Sequence, residues 1–197
     1  AMRGAKPLEI YLLLDIGSIE PPTARGAAWT TLWEQVQEAR LPVNDFLATA
    51  LRELPNEKNE LIVNRLLSTL EEIYWLRLTE EERLASSSII EAMLWTETGS
   101  PLRSSSARAA YYQSYRSLAT TDAGVNRLVR LWEGKEVVEG LPLSETDMID
   151  LISGLALRGI DNSEQRLDEQ ESRIFNADRL ARFRFVRPSL SNSKEVR

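Results

Sequence analysis

Apolar residues recur at helical spacing along almost the whole of this chain. Trp29, Leu32, Trp33 and Val36 fall at i, i+3, i+4 and i+7, which puts them on one stripe of an α-helix. Val43, Phe46, Leu47, Ala50, Leu51 and Leu54 repeat the pattern. Ile62, Leu66, Leu70 and Ile73 make a third stripe, widened by Val63, Leu67 and Tyr74. Val125, Leu128, Val129 and Trp132 make another, and Met148, Leu151, Ile152 and Leu155 one more. Alternation of apolar and polar residues is brief, around 183–186, and its flanks are helical. No strand is predicted.

The punctuation between stripes agrees. Pro21 and Pro22 should open a helix, because proline suits the first turn, where an amide is spare. Pro42 separates the first stripe from the second, and Pro55 with Asn56 closes the second. Thr79 with Glu82 reads as a capping box, and Ser144 with Asp147 as a weaker one. Gly99, Ser100 and Pro101 mark a break, with Ser100 as the expected cap and Pro101 as the first helical residue. Gly134 and the 140–142 segment (GLP) end another helix.

Helices are therefore predicted over 8–17, 22–39, 43–54, 57–77, 79–98, 102–119, 122–133, 144–159, 162–175 and 177–186. Short connections make consecutive helices antiparallel neighbours. The expected fold is all-α, an irregular superhelical array of antiparallel helix pairs of the HEAT/armadillo-like α-solenoid kind, with no strict sequence repeat. Residues 1–7 read as a tag remnant or leader, since Ala1 precedes Met2. Residues 8–197 are expected to be a single helical-repeat domain and a fragment of a larger multi-domain chain.

Composition narrows the function. The net charge of -6 argues against a nucleic-acid partner, which needs a basic face to displace counterions. No apolar run approaches the roughly 20 residues that span a bilayer, so no membrane partner is expected. A soluble protein of the cytoplasm or periplasm is expected. There is no cysteine and no histidine, which removes disulfides, thiolate metal sites, the commonest general base and the commonest zinc ligand.

Few residues remain that could carry chemistry. Glu71 with Glu72, Glu80 to Glu82, and Glu169 with Glu171 could be imagined as metal ligands. Adjacent carboxylates on a helix point to different faces, so a solvated face and favourable charge in a first turn are the plainer reading. The serine runs 86–88 and 104–106 have no histidine base and no recognisable motif around them, so they predict no nucleophile. No phosphate-cradling glycine loop is present. Trp29, Trp33, Trp75, Trp95 and Trp132 read as core filling rather than a stacking surface. The chain is expected to hold no catalytic residue and no metal.

Near the end, Arg173, Arg179, Arg182, Arg184 and Arg187 make a basic stretch in an acidic chain. On a helix, Arg179 and Arg182 share a face, with Leu180, Phe183 and Val186 on the buried side. Their guanidinium forks could meet a peptide C-terminus or another domain. The plainer alternative is pairing with Asp178, Glu169 and Glu171.

Three stretches carry a resemblance: 25–34 (RGAAWTTLWE), 54–75 (LPNEKNELIVNRLLSTLEEIYW) and 176–191 (NADRLARFRFVRPSLS). The segment from 141 (LPLSETDMIDLISGLALRG) fits as well. In order and spacing these resemble the C-terminal helical domain of bacterial aminopeptidases of the aminopeptidase N type, in the gluzincin clan. The resemblance implies a multi-domain enzyme that removes N-terminal residues from peptides. A separate thermolysin-like domain would hold zinc through an HExxH helix and a distant Glu. The helical domain would cover the active site and shape the peptide chamber. The implied partners are the catalytic domain of the same parent chain and the peptide substrate. Asn176, Arg179 and Arg182 are the candidates for residues beside the substrate. The resemblance also implies that the domain continues past Arg197. The alternative is a free-standing helical-repeat scaffold that binds a partner protein or peptide.

Overall fold

The computed structural model describes residues 7–190. The predicted leader therefore lies outside the described residues except for Pro7, as do Ser191 of the third family-like stretch and the expected truncation near Arg197. Among the described residues the chain forms ten α-helices and two short 3₁₀ helices, Ile16–Ser18 and Arg187–Leu190, and no strand. The helices are α1 (Pro7–Asp15), α2 (Pro22–Gln37), α3 (Val43–Glu53), α4 (Glu60–Leu76), α5 (Glu80–Gly99), α6 (Ser105–Leu118), α7 (Asp122–Trp132), α8 (Glu145–Leu157), α9 (Ser163–Ser172) and α10 (Ala177–Val186). The fold is all-α, and each predicted helix has a counterpart.

The helix ends follow local chemistry. Pro21 caps α2 and Pro22 takes its first position. The Thr79 hydroxyl accepts from the Glu82 amide at 3.3 Å while the Glu82 carboxylate accepts from the Thr79 amide at 2.9 Å. Ser144 and Asp147 make the same reciprocal pair at 3.2 and 2.8 Å. Gly134 closes α7 at φ +71°, in the left-handed region where a side chain is strained.

Several helices end two or three residues before the predicted position, and two helix starts are delayed for a tertiary reason each. Pro101 does not begin α6. Ser100 ends α5, and α6 waits until Ser105, with the Ser104 hydroxyl accepting from the Ala107 amide at 3.1 Å. The intervening turn delivers Arg103 to the end of α3. There it donates to the carbonyls of Leu54 (2.9 Å), Pro55 (2.8 Å) and Glu57, and pairs with Glu97 at 2.6 Å. Likewise α4 starts at Glu60 rather than 57. The Glu57 carboxylate accepts from the amides of Lys58 and Asn59, and Asn59 then caps α4.

The chain divides into two compact units, one ending at Leu118 and one beginning at Ala119. In the first, α3 packs on α1, α2 and α4, and α6 packs on α4 and α5. Phe46 sits between Trp29 and Trp33, with ring centroids 5.5 and 5.4 Å away; burying a side chain of that size contributes about 3 kcal/mol. In the second unit α8 packs on α7 and α9, and the 3₁₀ turn after α10 packs on α8. Trp132, Leu151, Ile152, Leu155, Leu167 and Phe183 are buried there. The tryptophans are not all core. Trp29, Trp33 and Trp132 are buried, but Trp75 is 46% exposed and stands edge-on to Tyr74. It lies off the α4 stripe, so helical register turns it outward.

Candidate functional site

Helix α10 begins because Asn176 is extended and its Oδ1 accepts from the Arg179 amide at 3.0 Å. That bond occupies the side chain, so Asn176 works as a helix cap. Phe183 is buried and Leu180 and Val186 are half-buried, which sets the inward face as predicted.

The arginines around this helix are nearly all paired. Arg173 pairs with Glu169 and stacks over the Trp132 ring, 4.7 Å from its centroid. Arg184 and Arg187 share Glu171 at 2.7 and 2.9 Å, and Arg187 also reaches Asp168 at 2.6 Å. Those bonds from Arg184 and Arg187 hold the Glu171 carboxyl below its ordinary range. Arg179 donates to Glu145 at 3.0 Å, and Glu145 also accepts from the Phe175 amide at 2.9 Å. The Phe175 amide first, and Arg179 next, hold the Glu145 carboxyl low. Asp178 takes none of these roles. The Arg182 guanidinium has neither an ion pair nor a hydrogen bond among the described residues.

Arg179 and Arg182 line one cleft of about 430 Å³ between α8 and α10. Its apolar wall comes from Ile149, Phe183, Val186 and Leu190. Thr146, Asp150 and Ser153 supply polar groups from α8, and the Ser153 hydroxyl is spent on the Ile149 carbonyl at 2.7 Å. The structure thus brings two of the three candidate residues to one hollow and leaves Asn176 at the helix cap. Arg179 is neutralised by Glu145, so the charge the hollow offers a ligand is the Arg182 guanidinium, set on the rim of an apolar wall, which suits an anionic group that carries an apolar one.

The other sequence candidates have local duties. Glu71 accepts from the Ser114 hydroxyl at 2.7 Å, Glu72 pairs with Arg77, and Glu82 serves its capping box. Among the described residues no three acidic side chains converge as a metal ion would need. Ser86 and Ser87 donate to the carbonyls of Glu82 (2.7 Å) and Arg83 (2.5 Å). Ser104 and Ser106 each donate to Glu60 at 2.6 Å. Those two bonds hold the Glu60 carboxyl below its ordinary range, which makes it a weak base for either serine.

One polar group that the sequence did not single out lies in the first unit. Arg25 donates through Nε and Nη2 to Glu57 at 2.7 and 2.8 Å, and through Nη1 to the Ile19 carbonyl at 2.5 Å. A hollow of about 320 Å³ opens beside this pair, with Glu53, Asn56 and Lys58 on its wall. The pair's groups are already spent on each other, so it ties α2 to the α3–α4 connection rather than awaiting a ligand.

No protein-family model matches this chain, and no curated protein matches it. No helix among the described residues is long and apolar enough to cross a membrane.

Proposed function

We propose that this chain is a non-catalytic helical module that binds peptide, acting as the C-terminal domain of a zinc-dependent aminopeptidase. In that role it covers the active site and lines the chamber that peptides enter. Its partners are the parent's catalytic domain, which would hold the zinc, and the peptide itself. The four family-like stretches support the reading; they fall largely on α2, α4, α8 and α10. The short connections between helices fit an irregular array of the HEAT/armadillo kind.

The observation that carries the proposal is Arg182. It is a guanidinium with no partner among the described residues, on the rim of an apolar cleft, in a stretch whose other arginines are engaged. An unspent fork beside apolar wall suits a peptide carboxylate with a neighbouring apolar side chain. Titration of the chain with a leucine-rich tetrapeptide, as free acid and as amide, tests this. Arg182→Ala should weaken the free acid about tenfold and the amide less, the loss of one charge-assisted contact. In the parent enzyme the same change should lower kcat/KM for long peptides more than for a single-residue reporter. Equal loss on both substrates defeats the chamber role.

A further inference from the structure

The first unit holds a second unspent charge beside an apolar hollow. Helices α2 and α4 flank a cleft of about 260 Å³. Trp29, Ile62 and Leu66 form its floor, each at most 7% exposed, and Leu61, 80% exposed, stands at its lip. Among the described residues no carboxylate lines it. Gly26 leaves room on the α2 side: a Cβ there would meet Ile62 at 3.8 Å, an ordinary contact.

Arg65 also lines this cleft, one turn after Leu61, and its guanidinium has neither an ion pair nor a hydrogen bond among the described residues. Most arginines of the unit are otherwise engaged. Arg25, Arg52, Arg77 and Arg103 pair with Glu57, Glu53, Glu72 and Glu97. Arg83 and Arg108 donate to the carbonyls of Leu78 and Thr98. The Lys58 ammonium is also without an ion pair among the described residues, but it stands at the polar hollow beside Glu53 and Glu57, whereas Arg65 stands at an apolar one.

We propose that the α2–α4 cleft docks a helical segment of a partner protein, one that carries a leucine- or phenylalanine-sized side chain and a carboxylate about one turn away. Three features select this occupant. The walls are helix flanks, whose backbone groups are already bonded, so an extended peptide would find no ladder to join; the occupant must satisfy its own backbone, as a helix does. The lining runs from Pro22 to Trp29 on α2 and from Asn59 to Leu66 on α4, each about 10 Å of helix, which admits two turns. Charge supplies the third. The chain is acidic overall, so a carboxylate is welcome at few places, and Arg65 is one. The first turns of α2 and α4 both border the cleft, and their dipoles add to its positive potential. This proposal is independent of the Arg182 cleft.

The probe is a 14-residue helical peptide, capped at both ends, with a glutamate four residues before a leucine. Two controls carry Gln for the Glu or Ala for the Leu. Binding is followed by titration calorimetry against the full chain, Arg65→Gln and Gly26→Leu. Gln for Glu in the peptide, or Arg65→Gln in the chain, should each weaken binding about fivefold, and the two together no more than either alone. Ala for Leu should abolish binding. Gly26→Leu seats a side chain in the hollow itself and should also abolish binding; leucine favours a helix over glycine, so Tm should not fall. Binding that neither Arg65→Gln nor Gly26→Leu changes overturns the proposal. So does the absence of binding at millimolar peptide, or self-association of the chain that Gly26→Leu removes.

Discussion

Arg25 and Glu57, 32 positions apart, meet as a two-pronged pair with side chains only 13% and 4% exposed. The fork geometry satisfies both carboxylate oxygens, and the amides of Lys58 and Asn59 add to it. Removing one partner leaves the other charged and buried. Arg25→Ala should therefore lower unfolding stability by about 3 kcal/mol, read from urea denaturation, and Arg25→Lys should recover only part of it. A loss under about 0.5 kcal/mol would place this pair with ordinary surface ion pairs.

The same carboxylate sets an acid limit. Burial pushes Glu57 up, but Arg25 and the amides of Asn59 and Lys58 together outweigh it and hold the group below its ordinary range. A depressed folded-state value means that the unfolded chain takes up the proton more readily. The stabilisation is full above the unfolded carboxylate's value of about 4.3 and is lost as pH falls through the lower folded one. The urea midpoint should drop below about pH 4, and Glu57→Gln, though less stable at neutral pH, should show a shallower drop. An unchanged acid limb in Glu57→Gln would assign the loss to other carboxylates.

Asn176 and Arg182 should separate cleanly. Asn176→Ala removes a cap and should cost about 1 kcal/mol of stability. Arg182→Ala breaks no bond among the described residues and should change stability by less than about 0.5 kcal/mol while weakening peptide binding. Thermal melts and calorimetry on the two variants check this, and the reverse pattern would exchange their roles.

The buried indole of Trp132 donates to Gln170 Oε1 at 2.7 Å. Gln170→Leu would keep the volume but leave that N–H unpaired in the core of the second unit. A loss of about 2 kcal/mol is expected in denaturant unfolding. A neutral result would mean that water reaches the indole.

Helices were legible because their evidence is local: apolar spacing along α2, α4 and α8, and capping residues such as Thr79 and Ser144. Long-range partners were not. Arg179 looked ready to meet an acid on a neighbouring turn, but it meets Glu145, 34 positions away, because α8 comes to lie beside α10. Arg103 gave no signal at all, since its acceptors are backbone carbonyls 46 to 49 positions earlier, which any residue could offer. For the same reason the late start of α6 could not be read: Pro101 suits a helix start, and only the tertiary duty of Arg103 overrides it. Arg182 was picked for sharing a helix face with Arg179. That its guanidinium lacks a partner among the described residues emerges only once the acids of α8 and α9 are placed.

The Arg103 contacts bear on how the chain meets a protease. Cleavage needs several consecutive residues peeled into an extended strand inside the enzyme's groove. Pro55 and Asn56 are exposed and look like an inviting site. Yet the oxygens of Leu54, Pro55 and Glu57 are gripped by one guanidinium, and Leu54 is held again by the Tyr111 hydroxyl at 2.9 Å. Limited digestion should spare this bend and nick the chain elsewhere first.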